Sequence, residues 1–242
     1  MMSDPLALFP LAIAAAGGHV DAFETQQLVA AGLTLKQRSV ALVKALATGR
    51  SALLLPASPA FLVALAASDG NGALVIDPAR TVNEIAWQLA DANVRVVFTM
   101  SALAGRLSAF PTVVLLDEAP FKARVLSDGR TMEVDLGSHH GLALEGDRTI
   151  DGRDEECVLF YEATSGGSQR ITLTHRVLLA SAREQAAAFT GDEAAYSALR
   201  PWSEPAELIR VAAALLSGAR VVAGSKAAAA KSKLPLTITD RN

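Results

Sequence analysis

The sequence predicts an α/β fold in which a mostly parallel sheet is flanked by helices. Short runs rich in Val and Leu alternate with stretches of helical periodicity, the pattern of a parallel sheet buried between helical layers. The chain has 242 residues, of which 51% are hydrophobic, so it can bury a sizeable core made mainly of Ala, Leu and Val. Aromatic residues make up only 5%.

The predicted elements follow, in order, from the spacing of apolar residues, which recur with the period of two expected of a strand or with the period of a helix. Apolar runs such as Ser51–Ser58 and Val94–Thr99 indicate strands. Between them lie helical stretches such as Thr81–Asn93. Strands are predicted at 52–56, 73–76, 94–99, 112–116, 157–161 and 219–223. Helices are predicted at about 34–48, 59–69, 81–92, 101–107, 175–189 and 205–217.

Two regions depart from this alternation. Residues 117–156 are polar and turn-rich, as in a surface insertion, and the alternation at 131–136 predicts a hairpin. Residues 226–242 form a low-complexity tail, with an edge strand predicted at 234–239. We therefore predict a single α/β domain at 1–225 that contains the insertion-like region, followed by the tail.

The apolar segment at 5–16 predicts a helix packed on the domain. Asp4 precedes it, no Lys or Arg occurs before Lys36, and Pro10 interrupts a run far short of the roughly 20 residues that span a bilayer. These features argue against a signal peptide and a transmembrane segment, so we expect a cytoplasmic protein, with peripheral membrane contact through this segment as the alternative.

Charge and cysteine content exclude further classes. The net charge is -3, with no basic stripe, which argues against nucleic acid as a partner. Cys157 is the single cysteine and lies in an apolar run, so we interpret it as a buried small hydrophobe and not as a nucleophile. His139 and His140 are interpreted as a solvated loop and not as a metal site, and Trp87 as a core residue.

Residues 157–175 carry the strongest functional signal. An apolar strand leads into small and hydroxyl residues and then a basic residue, the order expected where a backbone cradles phosphate. His175 is interpreted as a residue that ends this loop and begins a helix, and the charged residues 154–156 as a solvated turn. The predicted phosphate-loop-like residues are Thr164, Ser165, Gly166, Gly167, Ser168 and Arg170.

This segment resembles the signature of the adenylate-forming superfamily of acyl- and aryl-CoA synthetases, the AMP-binding enzymes. That signature reads roughly Tyr-Thr-Ser-Gly-Thr-Thr-Gly-x-Pro-Lys-Gly-Val-x-Leu-Thr-His. Five positions match it: Tyr161, Gly167, Leu173, Thr174 and His175. The alignment places Arg170 at the family's lysine, Gln169 at its proline and Glu162 at a hydroxyl residue, and it leaves no residue for the glycine after the lysine. The motif is therefore eroded.

The resemblance extends over residues 25–225 by the order of elements, and it implies the first part of the large N-terminal domain of acyl-CoA synthetases. Glu204 stands where the family commonly has a histidine. Adenylation in that family also uses later segments that touch adenine, ribose and magnesium, and a lysine on a mobile C-terminal domain. We expect none of these within the 242 residues.

Three functional hypotheses follow. The preferred one is a truncated pseudoenzyme that has lost adenylation and acts through protein–protein interaction, with no catalytic residue, metal or cofactor beyond weak ATP or AMP binding. The second is a non-catalytic binder of a nucleotide or a phosphopantetheine-type acyl ligand. The third is one half of a split, ATP-dependent acid–CoA ligase that needs a second polypeptide.

Truncation of such a fold predicts uncovered apolar faces and hence a homodimer or a hetero-complex. The mean hydropathy of +0.30 and the 19% of charged residues agree with such exposure. The surface predicted for this contact spans 199–223, with four interface candidates: Trp202, Leu208, Val211 and Leu215.

Overall fold

The strands form two sheets around one large apolar core, in a computed structural model that describes residues 9–68, 72–107, 110–117, 121–137, 155–165, 167–189, 195–198 and 200–223. The strands are β1 (His19–Val20), β2 (Phe23–Glu24), β3 (Arg50–Leu54), β4 (Ala73–Val75), β5 (Val94–Thr99), β6 (Thr112–Leu115), β7 (Lys122–Ser127), β8 (Arg130–Asp135), β9 (Glu156–Thr164), β10 (Gly167–Thr174), β11 (Ala195–Ala198) and β12 (Arg220–Ala223). The helices are α1 (Phe9–Ala16), α2 (Thr25–Arg38), α3 (Val40–Thr48), α4 (Pro59–Ala67), α5 (Val82–Asp91), α6 (Ser101–Ala104), α7 (His175–Ala186) and α8 (Pro205–Leu216).

The larger sheet has eight strands in the order β10-β9-β4-β3-β5-β6-β7-β8. Its centre is parallel, because β9, β4, β3, β5 and β6 pair in that sense. Both ends are antiparallel hairpins, β9 with β10 and β7 with β8. The predicted α/β class with a mostly parallel sheet is confirmed, and so is the hairpin at 131–136.

The predicted strand at 219–223 exists as β12, but it lies in a second sheet of four strands ordered β11-β12-β1-β2. This is a correction to the single predicted sheet. The Nε of Arg220 donates to the carbonyl oxygen of Asp21 at 2.7 Å, and the N–H of Ala223 donates to the Asp21 carboxylate at 3.1 Å. These long-range bonds join the two ends of the described chain, and a local pattern cannot specify them.

The predicted helix at 34–48 is two helices, α2 and α3, separated at Ser39. The extended backbone of Ser39, with φ −110° and ψ 99°, ends α2, and its Oγ accepts a hydrogen bond at 3.2 Å from the N–H of Leu42 in α3. A serine that caps a helix satisfies a backbone donor and so favours a new start. The predicted helix at the N-terminus is confirmed as α1, in which Phe9 and Ile13 are buried.

Of three residues interpreted as structural, Cys157 and His175 are buried and Trp87 is not. Cys157 is fully buried, and burial raises the pKa of its thiol well above the ordinary range, so it is not a poised nucleophile. His175 begins α7, is buried, and its Nδ1 accepts a hydrogen bond at 3.1 Å from the N–H of Phe9. Trp87 is a correction, because it is not a core residue: it is 47% exposed, and its ring packs edge-on against Tyr161 of β9.

The four interface candidates need correction as well. Trp202, Leu208, Val211 and Leu215 are at most 1% exposed. Trp202 packs edge-on against Phe61 of α4, with ring centroids 5.2 Å apart, and the other three face inward from α8. The apolar face of α8 is therefore covered by this chain, and these four side chains do not form a surface for a partner.

Several predictions fall outside the described residues. They concern His139, His140, half of the insertion-like region and the tail at 226–242 with its edge strand. The domain boundaries at 225 and 226 stay predictions. Within the described ranges, no helix has the length and apolarity needed to cross a bilayer.

Candidate functional site: the hairpin at residues 156–174

The predicted phosphate loop is the turn end of a β-hairpin. The sequence predicted a strand at 157–161 followed by a loop, whereas β9 continues to Thr164 and β10 begins at Gly167. Ser168 and Arg170 therefore lie in a strand, which corrects their placement in a loop. The β-branched residues Ile171 and Thr172 favour this extended conformation.

Only two residues, Ser165 and Gly166, separate the paired residues Thr164 and Gly167, and Gly166 lies outside the described residues. The hydroxyl of Thr164 donates to the carbonyl oxygen of Gly167 at 3.0 Å. Gly167 has φ +131°, which side chains on L-residues rarely allow, so glycine is required here for the backbone and not for space. The pairing of Thr164 with Gly167 therefore closes the hairpin with two residues between them.

Arg170, the predicted phosphate-binding cation, has a carboxylate partner within the chain. Its guanidinium lies 3.2 Å from Oε1 of Glu156, and Arg50 of β3 forms an ion pair with Oε2 of the same carboxylate. The three side chains are each about one third exposed or slightly more. Two guanidinium groups thus share one carboxylate, so these three side chains together carry one excess positive charge.

A bulge in β9 brings Glu156 to Arg170. The register shifts between Leu173 and Thr174, so Cys157 has no partner residue. Cys157 and Val158 consequently lie in the same apolar cluster, although adjacent strand residues normally face opposite sides. This extra residue turns Glu156 toward the face that carries Arg170.

The remaining register assigns the other polar side chains to faces. Tyr161 pairs with Arg170, and Glu162 pairs with Gln169. Because directly paired residues share a face and neighbours alternate, Glu162 lies on the face opposite to Arg170. At its position in the motif, the carboxylate of Glu162 would be expected to repel a bound phosphate. The register shows that the carboxylate beside Arg170 is instead that of Glu156.

Tyr161 is held against α5. Its hydroxyl donates to the Asp91 carboxylate, and its ring packs edge-on against Trp87 at a centroid distance of 5.1 Å. Burial, followed by the hydrogen bond to Asp91, raises the pKa of Tyr161 to about 12. The phenol is therefore neutral at physiological pH and serves as a structural donor.

Sequence reasoning missed Arg50 and Glu156. Glu156 was interpreted as part of a solvated turn, and Arg50 was not singled out. The available signal was that both charges stand at the first position of an apolar strand. The first residues of parallel strands lie at the same edge of a sheet. That β9 and β3 are separated by a single strand, β4, is known only from the strand order of the folded chain, and this order brings Glu156 and Arg50 together.

Comparison with known proteins supports the superfamily. No family model matches the sequence. The 4-coumarate–CoA ligase-like 3 protein of Arabidopsis thaliana is 34% identical over 112 residues, which are 44% of this chain and 20% of that protein. The matched part of the chain is therefore about a fifth of the plant protein's length.

Solved structures share the fold. MatB from Rhodopseudomonas palustris superposes with a TM-score of 0.61 at 21% identity, over 92% of this chain and 45% of MatB. VinN in complex with 3-methylaspartate gives 0.63 at 15% identity, over 93% and 64%. The nonribosomal peptide synthetase FmoA3 gives 0.62 at 19%, over 89% and 22%.

These similarities confirm the resemblance to the adenylate-forming superfamily. The fold is that of part of the N-terminal domain of adenylate-forming enzymes, and the sequence is acyl-CoA synthetase-like. The chain spans less than two thirds of each of these proteins.

Proposed function

We propose that this chain is a non-adenylating relative of the acyl-CoA synthetases that acts through contact with another protein. The observation that carries the proposal is the ion pair between Arg170 and Glu156 beside a two-residue turn. A functional phosphate loop needs backbone N–H groups that point toward one centre and a cation that is not already paired. In this hairpin the backbone groups of β10 pair with β9, and Arg170 pairs with Glu156.

The described backbone donors of β10 do not converge. Residues 167–174 pair one by one with β9, so their hydrogen-bonding groups lie in the plane of the sheet and alternate in direction. A phosphate cradle instead requires successive N–H groups that point toward one centre. Among the described residues of the hairpin, Ser165 at the turn and Ser168 near the start of β10 are exposed and carry hydroxyl groups. Such a site can attract an anion but cannot enclose a triphosphate.

The guanidinium of Arg170 is also already paired with a carboxylate. An incoming phosphate must displace the Glu156 carboxylate from Arg170 or tolerate it at short range, and like charges this close repel. Because Arg50 holds the other oxygen of Glu156, the carboxylate is anchored from two sides. The net excess of one positive charge supports only weak anion binding.

The direct test is turnover. The purified chain is incubated with ATP and a panel of fatty and aromatic acids, and both pyrophosphate release and ATP–pyrophosphate exchange are followed. We expect neither to exceed the no-enzyme control. Robust turnover by the chain would show that adenylation survives and would overturn the proposal.

A second test addresses the cause. Glu156→Gln should raise the affinity for inorganic pyrophosphate by about fivefold, since it removes the carboxylate that competes for two arginines. Adding Arg170→Ala should abolish the gain. Glu162→Gln is the matched control, because it removes the same charge from the opposite face of the hairpin, and we expect no more than a marginal change. Equal gains in the two single variants would contradict the role of Glu156.

The second candidate is a non-catalytic binder of a nucleotide or a phosphopantetheine-type acyl ligand. It is favoured by the excess positive charge of Arg50 and Arg170 and by the similarity to an ATP-bound form of MatB, at 21% identity and a TM-score of 0.61. Calorimetry decides between the two. Micromolar ATP binding that disappears in Arg170→Ala would favour this candidate over the first.

A further inference from the structure

A basic groove lies at the opposite end of the larger sheet from the 156–174 hairpin. Its volume is about 870 Å³, and α3 forms one wall while β7 and β8 form the other, with residues of β5 and β6 at its floor. Its charged lining residues are Arg38, Lys44, Arg95, Arg130 and Asp128. Basic side chains thus outnumber acidic ones four to one in a chain with a net charge of -3.

The register of the β7–β8 hairpin produces this charge segregation. Arg130 pairs with Ser127 and Met132 with Val125, and all four residues line the groove. The acidic residues of β8, Glu133 and Asp135, alternate with these positions and line the depression on the opposite face. One strand therefore presents its basic and apolar side chains to the groove and its carboxylates away from it.

Three of the four cations that line the groove have no carboxylate partner among the described residues. Within the described ranges, Lys44, Arg95 and Arg130 form no ion pair, whereas six other arginines do. The guanidinium of Arg38 donates to the carbonyl oxygen of Asp135 at 2.8 Å. The groove is therefore a concentration of positive charge that an acidic partner could neutralise.

The groove also exposes apolar surface. Val40 is 67% exposed and Met132 is 39% exposed, and they stand on the α3 wall and the β8 wall. Along α3, Val40, Lys44 and Thr48 recur at a spacing of four, so apolar and basic side chains share one helix face. Phosphate oxygens or a nucleic-acid backbone would use the cations only, and they would leave these apolar side chains in water.

From this combination we infer that the groove binds an acidic amphipathic helix of a partner protein. The helix would place its apolar stripe on Val40 and Met132 and its Glu and Asp residues against Lys44, Arg95 and Arg130. The nine residues of α3 give a wall about 13 Å long, which matches two to three turns of a bound helix. This inference names the surface for the protein contact in the proposed function and rests on that part of it.

The test uses the full chain and two synthetic peptides of identical composition. One peptide has Leu at helical i, i+3, i+4 spacing with Glu on the flanking positions, and the other has the same residues in a scrambled order. We expect the patterned peptide to bind and the scrambled one to bind at least about tenfold more weakly, with affinity falling as ionic strength rises. Equal binding of both peptides, or no binding, would overturn the inference.

Variants locate the site. Lys44→Glu and Arg130→Glu should each weaken binding by about tenfold, and Met132→Ser by about threefold. Lys122→Glu is the matched control, because it reverses a charge on the same hairpin but on the opposite face, and it should leave binding unchanged. A loss in Lys122→Glu equal to that in Arg130→Glu would show nonspecific charge attraction and refute the site.

Crosslinking to the unaltered chain locates the site without any substitution, so the result does not depend on whether the variants fold. A photo-crosslinker on the patterned peptide should attach within 38–48 or 125–132. Crosslinks confined to other regions would contradict the inference, and so would vesicles of anionic lipid or inorganic polyphosphate that bind more tightly than the peptide. None of these experiments involves ATP, so their failure leaves the loss of adenylation to be decided by the turnover assay.

Discussion

Single residues in this chain owe their roles to neighbours that are distant in sequence. Arg170 has the charge of a phosphate-binding residue, but a bulge places Glu156 beside it and Arg50 anchors that carboxylate. The sequence predicted a basic residue at this position, but it did not predict that the guanidinium of Arg170 is paired with a carboxylate and so is less able to bind phosphate. The chemistry of the site is therefore decided by partners 14 and 120 residues away.

Tyr161 leads to a prediction about pH. Its pKa is raised to about 12, whereas an unfolded tyrosine ionises near pH 10. The folded chain thus favours the neutral phenol, so this contribution to stability is complete below about pH 10 and is lost as the pH rises toward 12. Tyr161→Phe should be less stable than the unaltered chain at pH 8, and it should lose less stability between pH 8 and 11.

Urea unfolding midpoints at the two pH values measure this difference. Tyr196 provides the control, because burial and its hydrogen bond to Glu207 also raise its pKa to about 12, and it remains in the variant. Parallel losses of stability in the variant and the unaltered chain would argue against a special role for Tyr161.

The two tryptophans provide a second prediction at this scale. Trp202 is 1% exposed and Trp87 is 47% exposed, the reverse of the roles that the sequence suggested. Trp87→Phe, which retains only Trp202, should emit at shorter wavelength and be quenched by acrylamide severalfold less than Trp202→Phe. Equal quenching of the two single-tryptophan chains would restore the predicted exposed surface around Trp202.

At the scale of elements, close helix packing depends on one glycine. Gly32 of α2 faces α4, where a Cβ would stand 2.4 Å from the carbonyl oxygen of Val63 and 2.7 Å from the Cβ of Ala66. Ala is favoured over Gly within a helix by about 1 kcal/mol, but overpacking costs about 1–3 kcal/mol. The clash involves backbone, which cannot move aside easily, so packing should win.

We therefore expect Gly32→Ala to lower the free energy of unfolding by about 1–3 kcal/mol in chemical denaturation. Gly105→Ala is the control, because Gly105 has φ −63° and no heavy atom near its would-be Cβ. Its effect should stay within about 0.5 kcal/mol. A neutral or stabilising Gly32→Ala would mean that α2 and α4 are farther apart than described.

For the whole molecule, the two outer strands of the larger sheet differ in protection. Among the described residues, β10 and β8 stand at its edges. β8 carries Arg130, Glu133 and Asp135, whereas β10 carries Arg170 as its only charged residue. Charged residues on an edge discourage strand pairing between chains, so β10 is the edge that favours association.

The predicted association of this chain can be tested at that edge. We expect light scattering at tens of micromolar to show a dimer that becomes monomeric in Thr172→Lys. Thr131→Lys, the same change on the already charged β8, should leave the dimer intact. A monodisperse monomer at every concentration, together with no partner recovered from cells, would remove the basis for the predicted homodimer or hetero-complex.

Much of the fold was predictable because its signals are local. The Val- and Leu-rich runs at 94–99 and 157–161 form central strands, and Thr81 with Glu84 caps α5 through a reciprocal pair of hydrogen bonds. Burial of Cys157 followed from its apolar neighbours. The order of predicted strands and helices along the chain also sufficed to indicate the superfamily, since this order can be read from the sequence without knowing which strands pair.

By itself, then, the amino-acid sequence determined the α/β class, the central strands and the eroded motif. Tertiary structure alone decided that β12 joins a second sheet, that α8 buries its apolar face, and that Glu156 pairs with Arg170. It also decided that the basic side chains at 38, 44, 95 and 130 meet in one groove. The physical reason is the same throughout: periodicity and propensity act within a few residues, whereas partners across a sheet are chosen by the burial of whole faces.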